Sequence, residues 1–583
     1  MLNKTRAFLR DLWTLARPYW FSEERRTARA LLAAVIGVNL GIVFINVELN
    51  LWQNAFYNSL QAKDQAEFMS QLLRFCWLAA IFIVLSVYAL YLNQMLQIRW
   101  RRWLTEHYLS DWLGERIYYR MQLTDRGTDN PDQRIAEDLR LFVEATLSLT
   151  LGLISAVVTL VSFLGILWAL SGPLSFVIGG VPVSVPGYLV WTALVYAVVG
   201  TWLTHQIGKP LIQLNFDRQR LEADLRYSLV RFRENAEGVA LYHGEADEKR
   251  NFIARFRDVM ANWWEIMQRQ KKLTWFTSGY GQVAIIFPVL VVSPRYFSGA
   301  IQLGGLMQTS SAFGQVQGSL SWFIDAYARF AEWKATVDRL IGFHAAIERA
   351  RAIAHSSPGV AQQRTEQSEV LLDDVRLELP DGRVLLTGAT EKLVPQQSVL
   401  VSGPSGSGKS TLFRAMAGIW PFGAGTVALP REARELFLPQ RPYLPLAPLR
   451  GVLSYPDAGG TFDDETLRAT LEACGLPHLV GHLDDSKNWA LELSGGEQQR
   501  IAFARALLHK PGWLFMDEAT SALDEAAEAR LYQLLQQRLP ATTIVSIGHR
   551  ATLAAFHRRK LQLRPSNGQG GALVAAPQPN LPG

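Results

Sequence analysis

Two short stretches hold the residues best suited to chemistry. The first is Gly403-Pro404-Ser405-Gly406-Ser407-Gly408-Lys409-Ser410-Thr411, which follows the apolar run SVLVS and leads into TLFRAMAGI. Strand, glycine-rich turn and helix in that order make an anion cradle. The glycines let the backbone wrap so that successive N–H groups point inward, and the helix N-terminus adds positive dipole. In such a cradle Lys409 reaches the β- and γ-phosphates of a nucleotide and the Ser410 hydroxyl holds Mg2+. The second stretch is Trp513-Leu514-Phe515-Met516-Asp517-Glu518, an apolar strand ending in two carboxylates. Asp517 is placed to hold Mg2+ through water, and Glu518 to polarise a water in line with the γ-phosphate.

These residues need a rigid frame. From about Val370, short apolar runs (VLLDDVRLEL, SVLVSG, ELFLPQ, WLFMDE, TIVSIGH) alternate with helical segments. That alternation predicts an α/β domain with a largely parallel sheet over residues 370–564. The stretch 351–369 is polar, with Pro and Gly, and reads as a linker. The tail 565–583, rich in Gly and Pro, reads as disordered.

The first half has a different composition. Six apolar stretches lie at about 30–47, 72–92, 147–170, 185–207, 273–292 and 297–324. About 20 helical residues span a bilayer core, and the first five reach that length. The sixth carries Gln, Ser and Thr on a helical repeat. In lipid these would be costly, so it is read as a helix lining a polar pathway. Residues 29–350 are thus expected to form a six-helix transmembrane domain. Residues 1–28, basic and aromatic, are expected to form an amphipathic helix at the membrane surface.

Loop charge gives the orientation. Eight arginines lie from Arg99 to Arg140, and a second basic loop runs from Lys209 to Arg257. The other links hold no cation beyond Lys63 and Arg295. Both basic loops and both termini therefore belong on the cytoplasmic side. This asymmetry accounts for most of the net charge of +6 and removes the case for nucleic acid. With 49% hydrophobic and 19% charged residues over 583 positions, a disordered chain is excluded. Two distant cysteines, Cys76 and Cys474, exclude a disulfide scaffold.

Further motifs give a resemblance. Leu493-Ser494-Gly495-Gly496-Glu497-Gln498-Gln499-Arg500 resembles the signature of ABC ATPases and precedes the WLFMDE strand, as in that family. Gln440 resembles the Q-loop glutamine, Ser521-Ala522-Leu523-Asp524 the D-loop, and His549 the switch histidine. The resemblance implies ATP and Mg2+ as ligands, with Glu518, His549, Lys409 and Gln440 in catalysis. It places Ser410, Gln440 and Asp517 at the metal, and Ser494, Gly495, Gly496, Glu497 and Asp524 at a nucleotide held by the opposite subunit. One loop and one signature per chain imply a homodimer. The family also stacks adenine on an aromatic residue about 25 positions before the phosphate loop. Here residues 370–403 contain no Phe, Tyr or Trp, and the matching place is near Leu379. Weaker adenine discrimination is the expectation.

In the membrane half, Asp129-Asn130-Pro131-Asp132-Gln133-Arg134-Ile135, the run from Arg231 to Glu248, and LGGLMQTSSAF with LSWF around 303–323 resemble the SbmA/BacA-like membrane domain. The fused layout resembles YddA-type bacterial inner-membrane ABC proteins. It is more distantly similar to mycobacterial cobalamin/peptide importers and to peroxisomal and lysosomal ABC transporters. The first two stretches would then lie in coupling regions. Glu48, Glu144 and Asp325, near helix ends, are candidate relics of proton handling. The resemblance implies an ATP-driven transporter of a bulky hydrophilic solute such as a peptide, peptide antibiotic or cobalamin-like compound, with uptake favoured. An exporter of hydrophobic compounds or lipids is the alternative, and a membrane-anchored regulatory ATPase the rival of another class.

Overall fold

The apolar stretches of the first half fold as long helices. The computed structural model describes residues 2–124, 130–172, 174–178, 181–355, 359–564 and 570–576. Helix α1 spans Leu2–Trp20, α2 Arg25–Ala62, α3 Gln65–Leu113 and α4 Ile117–Thr124. They are followed by α5 (Leu139–Ser171), a hairpin of β1 (Leu174–Ile178) and β2 (Val181–Val185), and α6 (Tyr188–Glu234). Helices α7 (Glu245–Phe297) and α8 (Leu303–His355) complete the series. Among the described residues, five helical stretches have the length and hydropathy of a membrane span: Arg25–Ala62, Gln65–Leu123, Pro131–Ser171, Tyr188–Glu234 and Glu245–Phe297. The reason is visible on α3, where Leu73, Trp77, Ile83 and Leu90 are all at least 60% exposed. Such a stripe suits hydrocarbon, not water.

Helix α8 covers the sixth stretch but is too polar to qualify as a span by composition. It still enters the bundle core. Its Ala312, Phe313 and Val316 pack with Phe163 and Leu167 of α5 and with Val190 and Ala193 of α6. Its polar groups do not simply line a channel. Gln308, Thr309 and Ser319 are buried within the chain. The Thr309 and Ser319 hydroxyls donate back to the carbonyls of Gly305 and Gln315 at 2.7 and 2.8 Å. A hydroxyl satisfied by its own helix carries little penalty in an apolar setting.

In α1, Leu15, Ala16 and Tyr19 are buried while Leu9 and Trp13 are exposed. Tyr19 stacks on Trp100 of α3 at 5.7 Å between ring centroids. Of the acids singled out above, Glu48 pairs with Arg74 at 3.0 Å and Glu144 with Arg140 at 2.9 Å. Asp129 and the side chain of Asp325 lie outside the described residues.

A second compact unit comprises residues 346–583 together with 111–128, so α4 packs with it although only the short turn Gly114–Arg116 separates it from α3. It contains a four-stranded sheet in the order β3 (Ala361–Thr365), β7 (Gly423–Pro430), β4 (Val370–Glu378), β5 (Val384–Leu393). A six-stranded sheet runs β12 (Ala572–Ala575), β11 (Arg559–Arg564), β6 (Val399–Ser402), β10 (Thr543–Ile547), β9 (Trp513–Asp517), β8 (Glu435–Leu438). Its central pairings are parallel. Trp513, Leu514, Phe515 and Met516 are all at most 2% exposed, as expected for a parallel strand covered on both faces. The helices needed below are α9 (Lys409–Met416), α10 (Gly495–His509) and α11 (Glu525–Arg538).

Two boundaries differ from the sequence reading. The expected linker 351–369 contains the end of α8 and the strand β3, which pairs in parallel with β7. The expected disordered tail 565–583 contains β12, antiparallel to β11. Both are edge strands. Backbone pairing forms them, and it needs no apolar pattern in the side chains.

Candidate active site

Strand β6 delivers the chain to the glycine-rich turn, and α9 begins at Lys409 with Gly408 as its cap. Gly406 and Gly408 have φ of 76° and 95°, which L side chains rarely adopt. The turn therefore needs glycine at these two places. Lys409 is 6% exposed, and its ammonium donates to the carbonyls of Gly403 and Pro404 at 3.0 and 2.8 Å. Burial pushes its pKa down, opposed by the charges of Glu518 and Asp517. Pro404, Ser405 and Gly406 are exposed, Ser407 is half-buried, and Thr411 is buried on α9.

Parallel register sets the carboxylates. β9 pairs with β10, placing Asp517 opposite Ile547, two residues before His549. The Ser410 hydroxyl donates to Asp517 Oδ1 at 3.0 Å. Burial raises the Asp517 pKa, with the Ser410 bond and the Lys409 charge opposing. A hydroxyl and a half-desolvated carboxylate side by side fit a hard divalent cation such as Mg2+, which takes oxygen ligands.

Glu518 sits in the left-handed region at φ 48°, its N–H bonded to the Ile547 carbonyl at 3.1 Å. For a residue with a side chain this conformation costs about 1 kcal/mol or more, and such strain gathers at functional sites. The carboxylate is held at both ends. Gln440 Nε2 donates to one oxygen at 3.1 Å, and His549 Nε2 lies 3.1 Å from the other. The structure thus brings Gln440, Glu518 and His549 together, and sets Lys409, Ser410 and Asp517 beside them on the same sheet end.

The signature loop is built differently. Ser494 caps α10 in a reciprocal box: Ser494 N donates to Glu497 Oε2 at 2.9 Å, and Glu497 N to Ser494 Oγ at 3.4 Å. Ser494 and Gly495 are exposed, and Gly496 follows in the first turn. The Gly495 and Gly496 amides of this helix end can receive an anion, while the Ser494 N–H is spent on Glu497. Asp524 spends its carboxylate locally, accepting from Ala527 N at 2.6 Å to cap α11.

Two features escaped the sequence reading. The first is Gln499, 3% exposed. Its Nε2 donates to the Gln440 carbonyl at 3.2 Å and to Ser521 Oγ at 3.1 Å, while its Oε1 accepts from Ala522 N at 2.9 Å. One buried amide thereby ties the signature helix to the Gln440 loop and the Ser521-Ala522 turn. The motif contained it, but nothing in spacing reveals those partners. The second is α4. Arg116, just before it, donates to the Ala417 carbonyl at 2.7 Å, the residue that ends α9. Leu123 packs on the core under the phosphate loop, and burial raises the Tyr119 pKa against the nearby Arg414 charge. Glu115 and Arg116 both have positive φ, 49° and 59°.

Near Leu379, the turn closes on itself, with Leu379 N bonded to the Arg383 carbonyl and Gly382 N to the Leu379 carbonyl, both at 2.9 Å. Trp420, past α9, is 5% exposed and donates to the Glu378 carbonyl at 2.9 Å. That ring belongs to the core and offers no open face.

The family model "ABC transporter transmembrane region 2" matches residues 15–297, and the model "ABC transporter" matches residues 386–521. The inner membrane ABC transporter ATP-binding protein YddA of Escherichia coli is 35% identical over 541 residues, covering 92% of this chain and 94% of that one. ABC transporter D family member 2, chloroplastic, of Arabidopsis thaliana is 35% identical, covering 95% and 86%. The human lysosomal cobalamin transporter ABCD4 is 27% identical, covering 94% and 92%. In fold, the chain is similar to a bacterial Atm1-family ABC exporter with ATP bound, at TM-score 0.68, 17% identity, and 92% and 93% coverage. Full-length likeness to YddA places the chain in the bacterial inner membrane, crossing it several times. A membrane domain and an ATP-binding domain fused in this order, with both family models matched, make the chain a member of the ABC transporter family, an ATPase coupled to transport.

Proposed function

We propose that the chain works as a homodimer that hydrolyses ATP to move a bulky hydrophilic solute, such as a peptide, peptide antibiotic or cobalamin-like compound, inward across the membrane. The observation that carries the ATPase part is Glu518, gripped between Gln440 and His549 at 3.1 Å each. A fixed carboxylate at that place is a ready general base for water. Lys409 is oriented by two carbonyls, which ATP phosphates displace as stronger acceptors. Ser410 and Asp517 would hold Mg2+, which when bound neutralises charge on the transferring phosphoryl group. His549 steadies the γ-phosphate and Gln440 reports on it. One exposed phosphate loop and one exposed signature-helix start, with the Gly495 and Gly496 amides available, support two composite sites shared by two chains. Helix α4, bound to the end of α9 through Arg116, supports a route from nucleotide to membrane helices. α8, packed against α5 and α6, serves as the sixth crossing.

The solute class rests on likeness to proteins named for cobalamin transport and on the SbmA/BacA resemblance. One observation favours the lipid or hydrophobic-compound alternative. Trp191, Val195, Val199 and Phe276 line an apolar groove between α6 and α7. Its two tyrosines, Tyr196 and Tyr280, each donate to the other's backbone carbonyl, at 2.8 and 3.2 Å, so their O–H donors are already spent.

The test is uptake of labelled cobalamin and of a labelled cationic peptide by cells making wild-type or Glu518→Gln protein. The variant should lower ATP turnover by about 10²–10⁴-fold and abolish uptake. Uptake equal in both, with turnover lost, would leave only the regulatory ATPase.

A further inference from the structure

One polar feature lies away from the nucleotide site. Along α2, Asn50, Asn54 and Asn58 recur every four residues, and Gln61 follows on the same stripe. The stripe meets the first turns of α8. Asn50 Nδ2 donates to the Gln308 carbonyl at 3.0 Å, and Asn54 Nδ2 to Gln308 Oε1 at 2.6 Å. Asn58 Nδ2 donates to Asn54 Oδ1 at 2.7 Å. Asn58 Oδ1 then accepts from Gly304 N at 2.8 Å, and Gln61 Oε1 from Leu303 N at 2.7 Å. The last two bonds satisfy amides at the start of α8 that have no partner within the helix. A Cβ on Gly304 would lie 2.0 Å from the Asn54 carbonyl, so the backbones touch there and only glycine fits. Asn50 and Gln308 are 2% and 3% exposed.

We infer that this amide ladder is a latch that closes the non-cytoplasmic end of the membrane domain and parts when that end opens. The inference rests on the reading of α8 as a crossing helix. The ladder lies where α2 ends and α8 begins, beside the links whose only cations are Lys63 and Arg295, the side opposite the basic loops. Alternating access needs a closure there that is firm yet reversible. Neutral interhelical bonds suit this, each worth about threefold in an equilibrium. Their chemistry also fits the open state. Parted amides find water, whereas an apolar interlock would expose apolar surface. The closed state is itself incomplete, since Asn50 Oδ1 and Gln53 Oε1 are buried without a partner among the described residues. Opening hydrates both.

The experiment uses full-length protein in cells, with Cys76→Ser removing the exposed thiol. Thr309→Cys, buried beside the ladder, reports opening through a membrane-impermeant maleimide added outside. Ala300→Cys, exposed in the link before α8, reports topology. Ala300→Cys should label at once. Thr309→Cys should label slowly, and Asn54→Ala with Asn58→Ala should speed it by about tenfold, from the two interhelical bonds lost, to Gln308 and Gly304. Equal Thr309→Cys labelling with and without the ladder overturns the latch. No labelling of Ala300→Cys overturns the topology, and the latch's placement with it. If the double alanine variant does not reach the membrane, an Asn54→Cys/Gln308→Cys disulfide serves instead. Oxidised, it should block the rise in outer accessibility of Ser311→Cys on vanadate trapping with ATP, and reductant should restore it. A rise unaffected by the disulfide refutes the latch.

Discussion

Replacing Gln499 with leucine keeps the side-chain volume and removes every polar atom of the buried amide. Three hydrogen bonds go, to the Gln440 carbonyl, Ser521 Oγ and Ala522 N. At about 1 kcal/mol net for each bond, the nucleotide-binding unit should lose about 3 kcal/mol. For a unit of this size that is about 6–12 °C in the unfolding midpoint. The functional effect should exceed what stability explains. The Gln440 loop is anchored by the bond from Gln499, and Gln440 in turn holds Glu518 at 3.1 Å. A loosened loop leaves the base in many orientations, so ATP turnover measured well below the new midpoint should still fall. The assay pairs thermal unfolding of the purified full chain with ATPase rates in lipid. A midpoint within about 1 °C of wild type, with unchanged turnover, would show that the three loops are held by something else.

Asp517→Asn tests the charge balance. Burial raises the Asp517 pKa, so the stability linked to this group is present below the ordinary carboxylate range and lost as pH rises through the raised value. At neutral pH the nucleotide-free variant should melt no lower than wild type, yet gain no stability from Mg-ATP; a normal Mg-ATP shift would contradict the metal assignment. His557 is buried between the Leu553 carbonyl and Ser546 Oγ, at 2.7 and 2.8 Å, and burial lowers its pKa to about 4. Its contribution is full above the usual histidine range and is lost as pH falls toward that value, so His557→Gln should flatten the acid limb of the stability profile. Arg116→Ala frees the carbonyl at the end of α9; ATP turnover should persist while the nucleotide-driven opening reported by Ser311→Cys is lost, and a normal opening would remove α4 from the coupling route. With no open aromatic face near Leu379, ATP and GTP should be hydrolysed at comparable rates, and a strong ATP preference would refute that expectation.

Much of the candidate site's local geometry was legible because it is contiguous in the chain. Nine consecutive residues from Gly403 to Thr411 dictate a turn and a helix start, and Asp517 and Glu518 end a strand whose burial is written in Trp513 to Met516. The signature, Q-loop and switch residues were legible by resemblance. The membrane character was legible because five stretches are longer and greasier than a soluble core requires. The polar sixth stretch misled in detail: its Thr309 and Ser319 hydroxyls are satisfied by their own helix, and Gln308 is spent on α2.

The sequence alone determined which residues form the candidate phosphate cradle and which segments have the length and apolarity to meet lipid, since both follow from contiguous composition and backbone chemistry. The tertiary structure decided who meets whom. It set Ser410 against Asp517, and Glu518 between Gln440 and His549, through the register of parallel strands far apart in the chain. It recruited β3 and β12 as edge strands by backbone pairing, which no side-chain pattern announces. It also joined Asn54 to Gln308 across 254 positions, because two helix ends approach closely enough at Gly304 for amides to meet.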